Sequence, residues 1–159
     1  MQESRIIIRV NELTSGARVE AALGRLLLRG TRMYLYDRLV NGVEGVDATT
    51  YPVLSGLARS GPTSATRLAA IIGLDRTATT RYASRLESAG LLRRAPDPED
   101  ARATRLELTA AGEAAVVAMR GTLTEAFDDL LAGWSGPEAD QFAAALERFA
   151  TQLETNRNY

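Results

Sequence analysis

The sequence contains no cysteine, no histidine and no lysine, since all 19 of its Lys+Arg residues are arginine. Without cysteine there are no disulfide bonds and no thiol chemistry, so a redox sensor that works through its own cysteine is excluded. Without lysine there is neither a Schiff base nor a phosphate-cradling P-loop lysine. Few enzyme mechanisms remain, no paired-acid motif points to a metal, and we expect neither catalysis nor a cofactor.

Long apolar runs are absent as well. No stretch of 18 or more apolar residues appears, and the start of the chain lacks the apolar region and small-residue cleavage site of a signal peptide. We therefore expect a cytoplasmic protein that does not contact a membrane. At 159 residues and 45% apolar content, the chain suffices for one compact domain with a real core and hardly for two.

The charges are unevenly distributed, although the net charge is only −1. Residues 62–109 carry eight arginines against six acids, whereas residues 110–159 carry three arginines against eight acids. A mildly basic middle followed by an acidic end suits a protein that touches DNA with one face only.

The N-terminal third is predicted to be helical. Apolar residues recur at roughly helical spacing over residues 19–39, so we predict one long helix there, interrupted at modest cost by Gly30 and closed by Asn41. Residues 5–13 are ambiguous, because their isoleucines favour a strand that has no evident partner. A helical arm that packs on a second subunit is the preferred interpretation.

A shorter helix is predicted between the glycine-rich loop and Gly61. Pro52 is tolerated only in the first turn of such a helix, which makes Thr49 or Thr50 the expected N-cap.

Two further short helices are predicted around a Gly73-Leu74 break. Ser64 is expected to cap the first, with inward positions Leu68, Ala69, Ile71 and Ile72. Asp75 is expected to cap the second, and the spacing i, i+3, i+4 and i+7 predicts a buried stripe of Thr79, Tyr82, Ala83 and Leu86. The outward face then presents Arg76, Thr77, Thr80, Arg81 and Ser84.

The side chains of that outward face are of the types that contact base edges in DNA. Arginine can make a bidentate contact to guanine, and threonine methyl groups can touch thymine. Ser64 and Arg67, near the first helix of the pair, are expected to touch phosphates, which position a protein without specifying sequence. The alternative is that these residues form the solvated side of an ordinary helix.

A β-hairpin is predicted next, with strands at residues 91–94 and 105–108 around a turn-forming APDPEDARA segment. Two short helices followed by such a hairpin predict a winged helix-turn-helix, in which the second helix is the recognition helix and the hairpin is the wing. Arg94 and Arg102 are expected DNA contacts, and Arg102 at the tip could enter a narrow minor groove. Asp100 is expected to orient one of these arginines. Ordinary surface pairing of the same charges is the alternative.

Two more helices are predicted after the hairpin, from Thr109 to about residue 132 and from Pro137 onward. Each is apolar along one side, beyond what a winged helix needs for its own core. A matching subunit is the simplest partner for these surfaces.

Four side chains are candidates for a ligand cavity, because such sites are mostly apolar with a few polar groups. The same four side chains could equally be plain core. They are Met33, Tyr34, Tyr36 and Tyr51.

Residues 66–112 resemble the MarR family of bacterial transcriptional regulators, and the similarity extends over residues 19–154. It rests first on the order helix, Gly-Leu turn and recognition helix. It rests also on three short motifs: Leu-Glu-x-x-Gly-Leu at the end of the recognition helix, Asp100-x-Arg102 in the wing, and Leu-Thr-x-x-Gly at the start of the next helix. Arg67 stands where an acid is common, and Pro52 falls in a helix that is usually uninterrupted. The missing cysteine excludes the peroxide-sensing branch.

The resemblance implies a mostly α fold with a small β-wing. It implies one domain over residues 1–159, with dimerisation helices at about 1–41 and 113–159 and a winged helix-turn-helix lobe at about 48–112. A homodimer of this kind reads a palindromic operator in double-stranded DNA. Members are commonly repressors released by small phenolic or amphipathic ligands that bind between the dimerisation helices and the lobe. The alternative is a winged-helix protein–protein adaptor that has lost DNA binding.

Overall fold

The computed structural model describes residues 14–98 and 102–157, with Arg157 described in its backbone alone. The described elements, in chain order, are α1 Ser15–Leu27, α2 Arg29–Val40, α3 Tyr51–Ser60, α4 Ala65–Ile72, α5 Arg76–Ser88, β1 Leu92–Pro96, β2 Thr104–Leu108, α6 Ala110–Leu131 and α7 Gly136–Arg157. The predicted fold class, mostly α with a small β-wing, is confirmed. The arm predicted at residues 5–13 lies outside the described residues.

The chain divides into two compact units, one ending at Met119 and the other beginning at Arg120. The first unit holds α1 to α5, the sheet and the first turns of α6. The second holds the remainder of α6 and all of α7. A single domain over residues 1–159 stays a prediction.

The long helix predicted for residues 19–39 is wrong, because the structure has two helices that meet at Leu28. Leu28 has φ −54° and ψ 136°, which is not helical, whereas Gly30 lies within the first turn of α2. The hydroxyl of Thr31 donates to the carbonyl of Arg25 (3.1 Å), one of the acceptors that the break leaves without a helical partner.

Helix α3 begins as Pro52 requires, with the proline in the first turn, and its N-cap residue is Thr50, one of the two that were predicted. Thr50 occupies the N-cap position without a capping side-chain bond. Instead, Asp47 Oδ1 accepts from the backbone N–H groups of Thr49 and Thr50, each at 2.9 Å, and Thr50 Oγ1 accepts from the Asp47 N–H (2.9 Å). Asp47 is therefore the side chain that organises the entry to α3.

The core of the first unit lies where α3, α4, α5, the sheet and the start of α6 meet. Its most deeply buried apolar side chains include Val53, Leu54, Leu68, Leu86, Leu92 and Met119. The prediction for α4 holds at Leu68 and Ala69 but is wrong at Ile71, which is 39% exposed. A helix of only 8 residues offers one narrow face to the core, and Ile71 falls beside that face.

Helix α6 starts against the base of the hairpin. Thr109, predicted as its cap, accepts from the Gly112 N–H (3.1 Å) and donates its hydroxyl to the Gly90 carbonyl (2.6 Å). The Thr109 N–H donates to the Leu91 carbonyl at 3.1 Å. A Cβ at Gly112 would lie 1.9 Å from that carbonyl oxygen, so this close approach requires glycine.

In the second unit, α7 starts with a capping pair. Ser135 donates its N–H (3.0 Å) and its hydroxyl (2.7 Å) to Glu138, and these hydrogen bonds lower the pKa of the Glu138 carboxyl. Large apolar side chains along this unit are exposed, among them Phe127, Trp134, Phe142, Leu146 and Leu153. Among the described residues, no helix combines the length and the apolar character that crossing a membrane would need.

Candidate nucleic-acid interface

The predicted recognition helix is α5, and its two faces differ as the periodicity indicates. Asp75 caps it, with Oδ1 accepting from the Ala78 N–H at 2.8 Å. Thr79, Ala83 and Leu86 are fully buried, and Tyr82 is half-buried against the core. The hydroxyl of Thr79 donates to the Asp75 carbonyl (2.9 Å), which satisfies it inside the core.

The opposite face of α5 is exposed along its whole length. All five residues predicted there are exposed, namely Arg76, Thr77, Thr80, Arg81 and Ser84. The hydroxyls of Thr80 and Ser84 donate to backbone carbonyls one turn earlier, at 2.8 and 3.1 Å. Because these side chains are short, this side of the helix can approach base edges closely.

Among the residues predicted to contact DNA, the exposed arginines Arg67, Arg76 and Arg81 make no ion pair with an acid of the described residues. Arg81 lies over the Tyr82 ring at 5.0 Å and donates to the Tyr82 hydroxyl at 3.2 Å. The ring limits the conformations of this guanidinium without neutralising its charge.

A surface cavity of about 330 Å³ lies between the start of α4, the start of α5 and the sheet. Ser64, whose hydroxyl caps α4 by accepting from the Arg67 N–H (3.2 Å), is at its edge. The cavity brings together four of the residues predicted to contact DNA: Ser64, Arg76, Thr80 and Arg94. Arg67 is exposed but does not line it.

Arg94 on β1 is held by α5. Its Nη1 donates to a carboxylate oxygen of Glu87 in an ion pair, and its Nη2 donates to Ser84 Oγ at 3.0 Å. Asp100, which was predicted to orient either Arg94 or Arg102, lies outside the described residues. Sequence reasoning missed Glu87, because nothing in a period or motif pairs a helix residue with a neighbouring strand.

The hairpin is an antiparallel pair with Leu92 opposite Leu108 and Pro96 opposite Thr104. Glu107 binds two arginines of the hairpin, Arg93 at 2.8 Å and Arg105 at 3.6 Å. Arg102 is exposed in the turn between the strands, as predicted.

A second ion pair that the sequence did not indicate joins α5 to the segment before α3. Arg85 Nη2 donates to Asp47 Oδ2 at 2.5 Å, and Arg85 Nη1 donates to Thr49 Oγ1 at 3.2 Å. Partial burial raises the pKa of Asp47, but the hydrogen bonds from Thr49, Arg85 and Thr50 outweigh it and hold that pKa well below its usual range. The Asp47 carboxylate is therefore charged at neutral pH.

The four candidate ligand residues are only partly brought together. Tyr36 and Tyr51 are in ring contact, with centroids 4.9 Å apart, and Tyr51 packs against the core. Met33 is half-buried. Tyr34 is 59% exposed and accepts a hydrogen bond from Arg38 at 3.4 Å. No cluster of three or more metal-ligating side chains occurs among residues 14–98 and 102–157.

Helix α5 packs on the core through its buried side, follows α4 and precedes an antiparallel hairpin. This order defines a winged helix-turn-helix protein.

Residues 44–103 match the family model described as MarR family. The chain is 29% identical over 117 residues to the HTH-type transcriptional regulator YxaD of Bacillus subtilis (strain 168), covering 74% of this chain and 82% of that protein. Both matches make this chain similar to the MarR family of transcriptional regulators.

Solved structures show the same similarity. The MarR family transcription regulator SP03579 superposes with a TM-score of 0.65 at 28% identity, covering 88% of this chain and 95% of that one. Wild-type MarR of E. coli in its apo form superposes with a TM-score of 0.69 at 18% identity, covering 86% of this chain and 96% of that one, a likeness of fold.

Proposed function

We propose that this chain binds a palindromic operator in double-stranded DNA as a homodimer, in the cytoplasm, and acts as a repressor released by a small phenolic or amphipathic ligand. The observation that carries DNA binding is the exposed face of α5, where Arg76 and Arg81 lie among short hydroxyl side chains. Such a face can contact base edges in the major groove, because its donors project from a helix without bulky neighbours.

Exposed apolar side chains on the terminal helices support the homodimer. Helix α1 buries none of its residues, and Leu26 and Leu27 are more than half exposed. Helix α7 is exposed along nearly its whole length, including Leu146 and Leu153. A second copy would cover these surfaces, and its two-fold symmetry would place two recognition helices on half-sites about one DNA turn apart.

The contact between Tyr36 and Tyr51 supports a ligand site near α2 and α3. Aromatic rings with hydroxyl groups are suited to phenolic compounds, because they offer stacking and a hydrogen bond together. Met33, half-buried on α2, could adapt its shape to such a ligand.

Selection from a randomised pool of DNA duplexes tests DNA binding. We expect the full chain to enrich a palindromic sequence and to bind it about a thousandfold or more tightly than a scrambled duplex. Release from that duplex by a phenolic compound would support the ligand response. Enrichment of no sequence, together with capture of a protein partner, would favour an adaptor instead.

Replacing Arg102 by alanine should weaken binding to the selected and the scrambled duplex by similar factors. A guanidinium in the wing that neutralises a phosphate adds affinity with little dependence on sequence. The slope of log affinity against log salt should fall by about one. An unchanged slope would show that Arg102 does not contact the DNA.

A further inference from the structure

The loop between α2 and α3, residues 41–50, contacts the C-terminal half of the recognition helix at two places. At the first, Gly45 packs against Ala89, the residue that ends α5. A Cβ at Gly45 would lie 2.6 Å from the Cβ of Ala89 and 3.6 Å from Cδ1 of Leu91. Because Gly45 also has φ +80°, both its backbone and its neighbour favour glycine there.

At the second place, the Asp47 carboxylate binds the loop and α5 at once. One oxygen accepts from the backbone N–H groups of Thr49 and Thr50, and the other accepts from Arg85 on α5. Arg85 also donates to Thr49 Oγ1. The loop side of this contact is fixed by the start of α3, where the Thr50 side chain is fully buried.

Arg85 lies one turn after Arg81 and next to Ser84, so its anchoring controls where the reading face points. The N-terminal end of α5 is fixed separately by the Asp75 cap. Buried Ala83 and Leu86 also hold the C-terminal half of α5, so loss of the Arg85 contact removes one restraint of several. The small tilt that this allows moves Arg81 relative to the base edges. Misplacement by about 1 Å is enough to lose a productive geometry.

We propose that Asp47 is a positioning residue for DNA reading, which acts through Arg85 and, together with the Gly45 contact, sets the angle of the recognition helix. This inference rests on the proposed function. Asp47 does not touch DNA in this role. Its contribution is to sequence discrimination, because an ion pair whose side chains are about half exposed adds little to stability.

The variant Asp47→Asn removes the charge that binds Arg85 but keeps an oxygen that can accept from Thr49 and Thr50. We expect its preference for the wild-type-selected duplex over a scrambled duplex to fall about three- to fivefold, with little change in melting temperature. The matched control is Glu44→Gln, which removes one negative charge from an exposed position of the same loop and should keep the preference.

A double-mutant cycle with Arg85→Gln separates positioning from direct contact. If Asp47 acts through Arg85, Arg85→Gln should cost less discrimination in the Asp47→Asn background than in the wild type. Equal losses in both backgrounds, or a preference that rises in Asp47→Asn because Arg85 is freed to bind DNA, would overturn the proposal.

Two glycines of the loop provide the second test. Gly42 and Gly45 both have positive φ, but a Cβ at Gly42 meets open space. Alanine at either position carries the same kind of backbone strain, so a larger loss of discrimination in Gly45→Ala than in Gly42→Ala reports the contact with Ala89. Equal losses would contradict that contact.

The outcomes separate the two proposals. If the wild type enriches no sequence, the proposed function itself fails. If the wild type enriches a sequence and Asp47→Asn still discriminates fully, only the positioning role fails.

Discussion

Replacing Arg81 by alanine is expected to reduce the preference for the selected duplex by about 1–3 kcal/mol, roughly one to two orders of magnitude. Arg81 is exposed at the middle of the reading face and makes no ion pair with an acid of the described residues. The Tyr82 ring limits the conformations of its guanidinium, which lowers the conformational entropy lost on binding. The measurement is competition between the selected duplex and duplexes changed at single base pairs.

The loss should be concentrated at one base pair in each half-site, because a bidentate contact reads one base. Arg59→Ala is the control, since Arg59 is also an exposed arginine but lies in the last turn of α3. A uniform loss across all duplexes would assign Arg81 to a phosphate, and no loss would remove it from the interface.

Replacing Gly112 by alanine is expected to destabilise the first unit by about 1–3 kcal/mol. The added Cβ would lie 1.9 Å from the Leu91 carbonyl oxygen and 2.9 Å from its carbon, and backbone atoms cannot rotate away as a side chain can. Either the first turn of α6 or the base of β1 must therefore shift. Chemical denaturation at constant pH measures the change in the free energy of unfolding.

The same helix supplies the control for this substitution. A Cβ at Gly121 would meet open space, so Gly121→Ala should stabilise the helix by up to about 1 kcal/mol through propensity alone. Opposite signs for the two variants would attribute the Gly112 effect to the Leu91 contact. Equal effects would show that the close contact between Gly112 and the Leu91 carbonyl does not affect stability.

The parts of the fold that could be predicted are those whose signals are local. Asp75 caps α5 and the spacing of Thr79, Ala83 and Leu86 defines its buried side, so the exposed reading face followed from about a dozen consecutive residues. The hairpin was predictable for the same reason, because a turn-forming segment lies between two short leucine-containing strands.

The features that sequence reasoning missed depend on residues far apart in the chain or on different elements. Arg85 and Asp47 are 38 positions apart, and no periodicity links a loop to a helix over that distance. The break at Leu28 was missed and a single helix was predicted, because leucine carries no helix-breaking signal of its own. Ile71 was assigned to the core because an apolar residue next to another on a short helix cannot be given a side from sequence alone.

Thr109 joins the end of the recognition helix, the foot of the hairpin and the first turn of α6 through three short hydrogen bonds. The end of α5, the start of β1 and the first turn of α6 are therefore all hydrogen-bonded through this one residue. A displacement of the first turn of α6 would therefore act directly on Gly90 and Leu91, the residues between α5 and β1.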